Sequence, residues 1–441
     1  MSPGSGRQDL RTELTVAIIR SFMTFSHPVS KTQQNSMRDP GIKGPMWVSK
    51  VVLPRPEIDV RNAVLHAIDD LKTGDESFDI PGIASVEAEW TGYRNGVDKN
   101  APNPDISETE KYHELRKECS SDTTILYFHG GAHFLMDPCT HRVAVAQLSR
   151  QTGSPVLSVR YRLAPQNPFP AALVDALTAY LSLIHPPQGA LHDPIPANKI
   201  VIAGDSAGGN LSSMARMYLS SYLGGVATIS PWCDITSSMP SIVRNAKFDY
   251  LVLPALERDE AAAAQPFAPF PFPPDAVWPV NPPRSDFYVN AKTVLHPLAS
   301  PLAASSDLWK NAPPVFITTG EECLSEEGLI TARRLHEAGV SIVAEQFEGM
   351  PHCHGFLMIN TPMGKKFFQS LSQFCRDAGA GSVKSTGLLN YIGFKSQSSQ
   401  EIPLAKVSDV NDEEVGVRMR RSAEWRLEGE KEMLRRAGAR L

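Results

Sequence analysis

A serine in a tight turn, a pair of glycines upstream of it, and carboxylates and histidines downstream stand in the chain order that acyl transfer through a covalent intermediate requires. Ser206 lies in Gly204-Asp205-Ser206-Ala207-Gly208, directly after the β-rich run Ile200-Val201-Ile202-Ala203 and before a helical pattern beginning near Gly208. A strand, a tight turn and a helix in succession hold a serine in strained backbone geometry with its hydroxyl accessible. Positions 204 and 208 must be small, because a bulky side chain there would collide with the strand or the helix. The pentapeptide alone also suits an ordinary Gly/Ser turn, so the groups around it carry the argument.

The first of these is His129-Gly130-Gly131-Ala132, placed where a loop leaves the run ending at Phe128. Acyl transfer develops an oxyanion, and preset backbone N–H groups each lower its barrier by roughly 3–4 kcal/mol. The expected oxyanion hole comprises Gly130, Gly131, Ala132 and Ala207, with donors assigned to Gly131, Ala132 and Ala207. His129 is read as a structural hydrogen-bonding group.

These residues need a frame. Buried strands are predicted at Thr123–Phe128, Val156–Val159, Ile200–Ala203, Val226–Ile229, Val315–Thr318 and Ile342–Ala344, the last running on to Phe347. Helical patterns between them at His141–Arg150, Pro170–Ile184, Leu211–Tyr218 and Glu326–Ala338 supply crossovers, so the expected fold is α/β, a mostly parallel sheet with helices on both faces.

His129-Gly-Gly-Ala, Tyr161-Arg162-Leu163-Ala164-Pro165, Pro168-Phe169-Pro170-Ala171-Ala172 and Gly204-Asp-Ser-Ala-Gly-Gly-Asn together resemble the hormone-sensitive-lipase family of α/β-hydrolases. Within it the chain is most similar to fungal esterases of the steryl acetyl hydrolase type. The resemblance spans about residues 121–360 and implies the α/β-hydrolase fold, a serine nucleophile, then an acid, then a histidine. Gly320-Glu321-Glu322-Cys323-Leu324-Ser325-Glu326-Glu327 resembles the family loop Gly-x-Asp-Pro-Leu-x-Asp-Glu, which puts Glu322 at the acid position and Cys323 in place of proline. Glu321 and Glu326 are rivals, their other reading being carboxylates at a helix N-terminus. Gly349-Met350-Pro351-His352-Cys353-His354-Gly355-Phe356 stretches the family's Gly-Met-Pro-His-Gly-Phe by two residues, so both His352 and His354 match in part. His352 is preferred on its distance from the strand end, with His354 as the alternative base.

The 441 residues allow one catalytic domain of about 250–300 residues plus additions. Residues 1–120 are read as an N-terminal cap or docking region whose helix carries Leu14, Ile18, Ile19, Phe22 and Met23, and residues 121–380 as the catalytic domain. Many of the 36 prolines crowd into an insertion at about 250–314, expected as a lid or a partly disordered loop. Residues 395–441 are read as a charged tail, a solvated helix or disorder, because Trp425, Leu427 and Leu434 make a thin apolar face. The link Tyr218–Gly225 is expected to be short for the fold.

A net charge of −5 leaves no basic footprint, so nucleic acid is not an expected partner. The six cysteines lack paired spacing and no secretory signal is read, which points to reduced thiols and a cytoplasmic location. No stretch is long enough to span a bilayer, and the histidines do not cluster at ligand spacing, so no transmembrane segment, metal or cofactor is expected. The expected activity is hydrolysis of short-acyl, acetyl-type esters of lipophilic alcohols, with a small lipophilic ester as partner and the oligomeric state open. The alternatives are an amidase or arylformamidase on the same triad and a ligand-binding protein without catalysis.

Overall fold

The protein is described from a computed structural model that covers residues 6–23, 25–56, 59–218, 222–251, 253–254 and 265–438. Part of the Tyr218–Gly225 link (219–221) and part of the proline-rich insertion (255–264) lie outside the described residues.

One 10-stranded sheet organises the chain, in the order β1-β2-β4-β3-β5-β6-β7-β8-β9-β10. Its middle comprises β3 (Thr124–Phe128), β4 (Val156–Arg160), β5 (Ile200–Asp205), β6 (Gly225–Ile229), β7 (Val315–Gly320) and β8 (Ile342–Phe347), all parallel. The strands read as continuous apolar runs because both faces are covered. On β3, Leu126 and Phe128 face a core shared with the helices Ala171–Ile184 and Ala207–Tyr218, while Ile125 and Tyr127 face a core shared with Pro138–Thr152 and Pro362–Gly379. Alternate residues thus enter opposite cores, as the pleat demands. The architecture is the expected α/β one, a mostly parallel sheet with helices on both faces.

The ends of the chain depart from the sequence reading. The segment 1–120, expected as a cap or docking region, also builds the sheet edge: β1 (Met46–Leu53) pairs antiparallel with β2 (Val86–Tyr93), and β2 pairs antiparallel with β4. The N-terminal helix Leu10–Phe22 forms, but it docks through Thr12 and Val16, and Leu14, Ile18 and Phe22 point outward. The segment 395–441 supplies β10 (Ser399–Pro403), antiparallel to β9 (Leu388–Ile392), and the helix Asp412–Gly438. That helix is docked rather than solvated. Val415 and Met419 enter a core with Cys233, Met239, Leu302 and Ile330, and the same face continues through Ser422, Ala423, Arg426, Gly429 and Glu430. Counting large apolar residues misses such a face, whose contacts come from small residues and from the aliphatic stems of charged ones. Among the described residues, no helix is long and apolar enough to cross a membrane.

Candidate active site

Ser206 sits between β5 and the helix Ala207–Tyr218 at φ +54°, in the left-handed region that non-glycine residues rarely occupy. The turn is locked on both sides. The Ser206 N–H donates to Ile229 O at 2.8 Å, and its carbonyl accepts from Asn210 N at 2.9 Å and Trp232 N at 3.1 Å. A Cβ on Gly208 would lie 2.0 Å from the carbonyl oxygen of Phe128, so only glycine lets the helix start this close to β3.

The Gly-Gly loop curls over this turn with Gly131 at φ +111° and Ala132 at φ +52°. Among the hydrogen bonds of the described residues, the N–H groups of Gly131, Ala132 and Ala207 donate to no protein acceptor. Gly130, grouped with them on sequence, is corrected: its N–H is engaged by Asp205 Oδ1 at 3.0 Å, so it is not available to an oxyanion. Asp205 also accepts from the Tyr127 hydroxyl at 2.7 Å and pairs with His141 at 3.4 Å. A buried carboxylate needs such donors, and here they tie the Gly-Gly loop to the turn. His129 stacks on Tyr161 with ring centres 4.4 Å apart, and burial pushes its pKa down to about 4, in keeping with a structural role.

Among the downstream candidates, Glu322 and His352 meet. Glu322 Oε2 bonds His352 Nδ1 with both side chains buried, and Oε1 accepts the Gly320 N–H at 3.2 Å. Burial pushes the Glu322 pKa up, while His352 pulls it back. Burial alone would lower the His352 pKa, but neighbouring Cys353 and Glu322 hold it well above the ordinary imidazole value. The Cys353 thiol is itself pushed up to about 12 by burial and is neutral near pH 7, so the carboxylate is the effective cause.

The other candidates are elsewhere. Glu321 pairs with Arg7 at 2.6 Å and accepts the Gly349 N–H, and Glu326 accepts the Ser241 N–H and the Ser408 hydroxyl. His354 lies against Phe347 and Phe367 with its Nε2 buried and unpartnered among the described residues, and burial lowers its pKa to about 3. It is a neutral core histidine.

Sequence reasoning missed Asp249. It is fully buried and accepts the N–H of Cys323 at 2.9 Å and of His352 at 3.1 Å, joining the acid loop to the histidine loop. A proline at 323, as in the resembling family, has no N–H to give, so the cysteine and Asp249 form a matched pair. The signal available was an acid between Phe248 and Tyr250, which must find donors if that aromatic run is buried.

A cavity of about 80 Å³ opens at the Gly-Gly loop, lined by Ala132, Phe134 and Trp232, by Phe267, Pro269, Phe270, Trp278 and Phe287 of the proline-rich insertion, and by Arg426. Among the described residues, no group of three or more His, Cys, Asp or Glu side chains is placed to hold a metal ion.

A family model described as alpha/beta hydrolase fold matches residues 125–357. An acetyl-hydrolase of Streptomyces hygroscopicus is 29% identical over 267 residues, covering 59% of this chain and 78% of that protein. An esterase of Acinetobacter venetianus is 26% identical over 268 residues, covering 59% and 77%. A crystal structure of an esterase from the bacterial hormone-sensitive lipase family superposes with a TM-score of 0.57 at 24% identity, covering 84% of this chain and 99% of that one, a likeness of fold.

Proposed function

The chain belongs to the α/β-hydrolase family, and we propose that it is a serine carboxylic-ester hydrolase in which Ser206, His352 and Glu322 form the catalytic triad. His352 Nε2 takes the Ser206 hydroxyl proton as Oγ attacks the ester carbonyl, and Glu322 holds Nδ1 and stabilises the imidazolium. The oxyanion is bound by Gly131, Ala132 and Ala207 N–H groups, each contributing about 3–4 kcal/mol to the barrier lowering. Collapse expels the alcohol with the proton from His352, and a water activated by the same histidine cleaves the acyl-enzyme.

The buried Glu322–His352 bond carries this reading, because it joins an acid candidate to a histidine candidate and so supports this pair over Glu321, Glu326 and His354. The relatives named acetyl-hydrolase and esterase favour esters over amides and a small acyl group. The largely aromatic lining of the cavity supports a small lipophilic group as substrate, and its lining by residues of the proline-rich insertion supports reading that insertion as a lid.

A panel of p-nitrophenyl acetate, butyrate and longer esters, with matched anilides, tests the proposal. Acetate and butyrate esters should turn over fastest, anilides negligibly, and Ser206→Ala should abolish all turnover. Long-chain preference would overturn the small-acyl part, and efficient anilide cleavage would favour an amidase.

A further inference from the structure

Arg426 is 2% exposed, reaches the cavity from the C-terminal helix, and lies well beyond residues 125–357 matched by the family model. Among the described residues its guanidinium makes one protein hydrogen bond, from Nη2 to Thr236 O at 3.4 Å, and its Nε is buried without a partner. The group also lies 4.5 Å from the centre of the Phe267 ring. A guanidinium has five N–H donors in a fixed fork, and leaving them dry is costly. Such a group beside a cavity asks for an acceptor from the ligand.

The surrounding charges decide which acceptor. Asp286, Asp234 and Glu430 all act on Arg426 from beyond ion-pair distance. Each is occupied by other donors: Asp286 by Tyr288 N, Asp234 by Thr236 and Ser238, Glu430 by Ser285 and Ala291. Arg284 shares Asp286 and Glu430, so three carboxylates face two guanidiniums and the locality stays net negative, which opposes an incoming carboxylate but not a neutral oxygen. Asp286, Ser237 and Ser285 also line the cavity, and the rest of its wall is apolar and largely aromatic.

We propose that Arg426 is a specificity-determining residue that donates hydrogen bonds to a neutral acceptor oxygen, such as a ketone or a second ester carbonyl, on an otherwise apolar substrate. The cavity is small, so the acceptor stands at the end of a short chain or on a single ring. The inference rests on the esterase reading for the substrate that enters the cavity, but its test is a binding measurement on a variant that does not turn over.

In Ser206→Ala protein, Trp232 and Trp278 line the cavity and report occupancy by their fluorescence. Ethyl 5-oxohexanoate is titrated against its apolar isostere ethyl 5-methylhexanoate and against monoethyl glutarate, with 5-oxohexyl and 5-methylhexyl acetates as the alcohol-side pair. The ketone should bind about tenfold to a hundredfold tighter than the isostere on one side of the ester, and the glutarate should gain nothing. Adding Arg426→Met should erase the preference, and Arg426→Lys should retain part of it, which keeps the test open if the methionine variant does not fold. Equal binding of ketone and isostere on both sides, a preference unchanged in either Arg426 variant, or tightest binding of the glutarate would overturn the proposal. Failure of wild-type protein to hydrolyse any ester would instead overturn the esterase reading.

Discussion

The proposed chemistry depends on which histidine can be a base, and environment separates the two. His352 bonds a buried carboxylate, and His354 sits among phenylalanines with a pKa near 3. A base must be neutral, so activity is lost as pH falls through the His352 pKa, and Glu322 places that limb above the ordinary imidazole range. In pH profiles of kcat/KM, Glu322→Gln should move the acid limb down and lower kcat about 10³–10⁴-fold. His354→Phe should leave the limb where it is; loss of the limb in that variant would reverse the assignment. The sequence left both histidines open because one residue between them separates a bonded imidazole from a core one. Only tertiary contacts distinguish them.

At the scale of elements, the parallel strands and their crossovers were legible because burial on both faces writes continuous apolar runs between helical periods. The nucleophile turn was legible for a steric reason, since few residues tolerate φ +54° with a helix packed this close. Gly208→Ala should therefore destabilise the fold by about 1–3 kcal/mol, read as a lower midpoint in denaturant with activity lost in proportion or beyond. A wild-type midpoint would mean that the helix retreats from Phe128 without cost. Gly130 was grouped with the oxyanion hole because a Gly-Gly pair does not say which N–H an adjacent carboxylate will claim. Asp205, inside the motif itself, claims the first.

Across the whole molecule, the remote segments were the least legible. β1 and β2 alternate with the helices Val60–Asp70 and Glu108–Glu118 but join the sheet edge by antiparallel pairing, which the sequence reading of a parallel sheet did not include, and the C-terminal helix buries a mixed face of small and charged residues. These segments nonetheless reach the site: Arg7 pairs with Glu321 in the acid loop, and Arg426 lines the cavity. The catalytic frame is thus held by the central residues, while its surroundings are completed by both ends of the chain. The claim that organises all of this is that Ser206 is the nucleophile, activated by His352. Intact-mass and peptide mapping after reaction with a fluorophosphonate tests it most directly. One adduct per chain on Ser206, absent in Ser206→Ala and strongly slowed in His352→Asn, is the predicted result, whereas labelling at another residue or undiminished labelling of Ser206→Ala would contradict it.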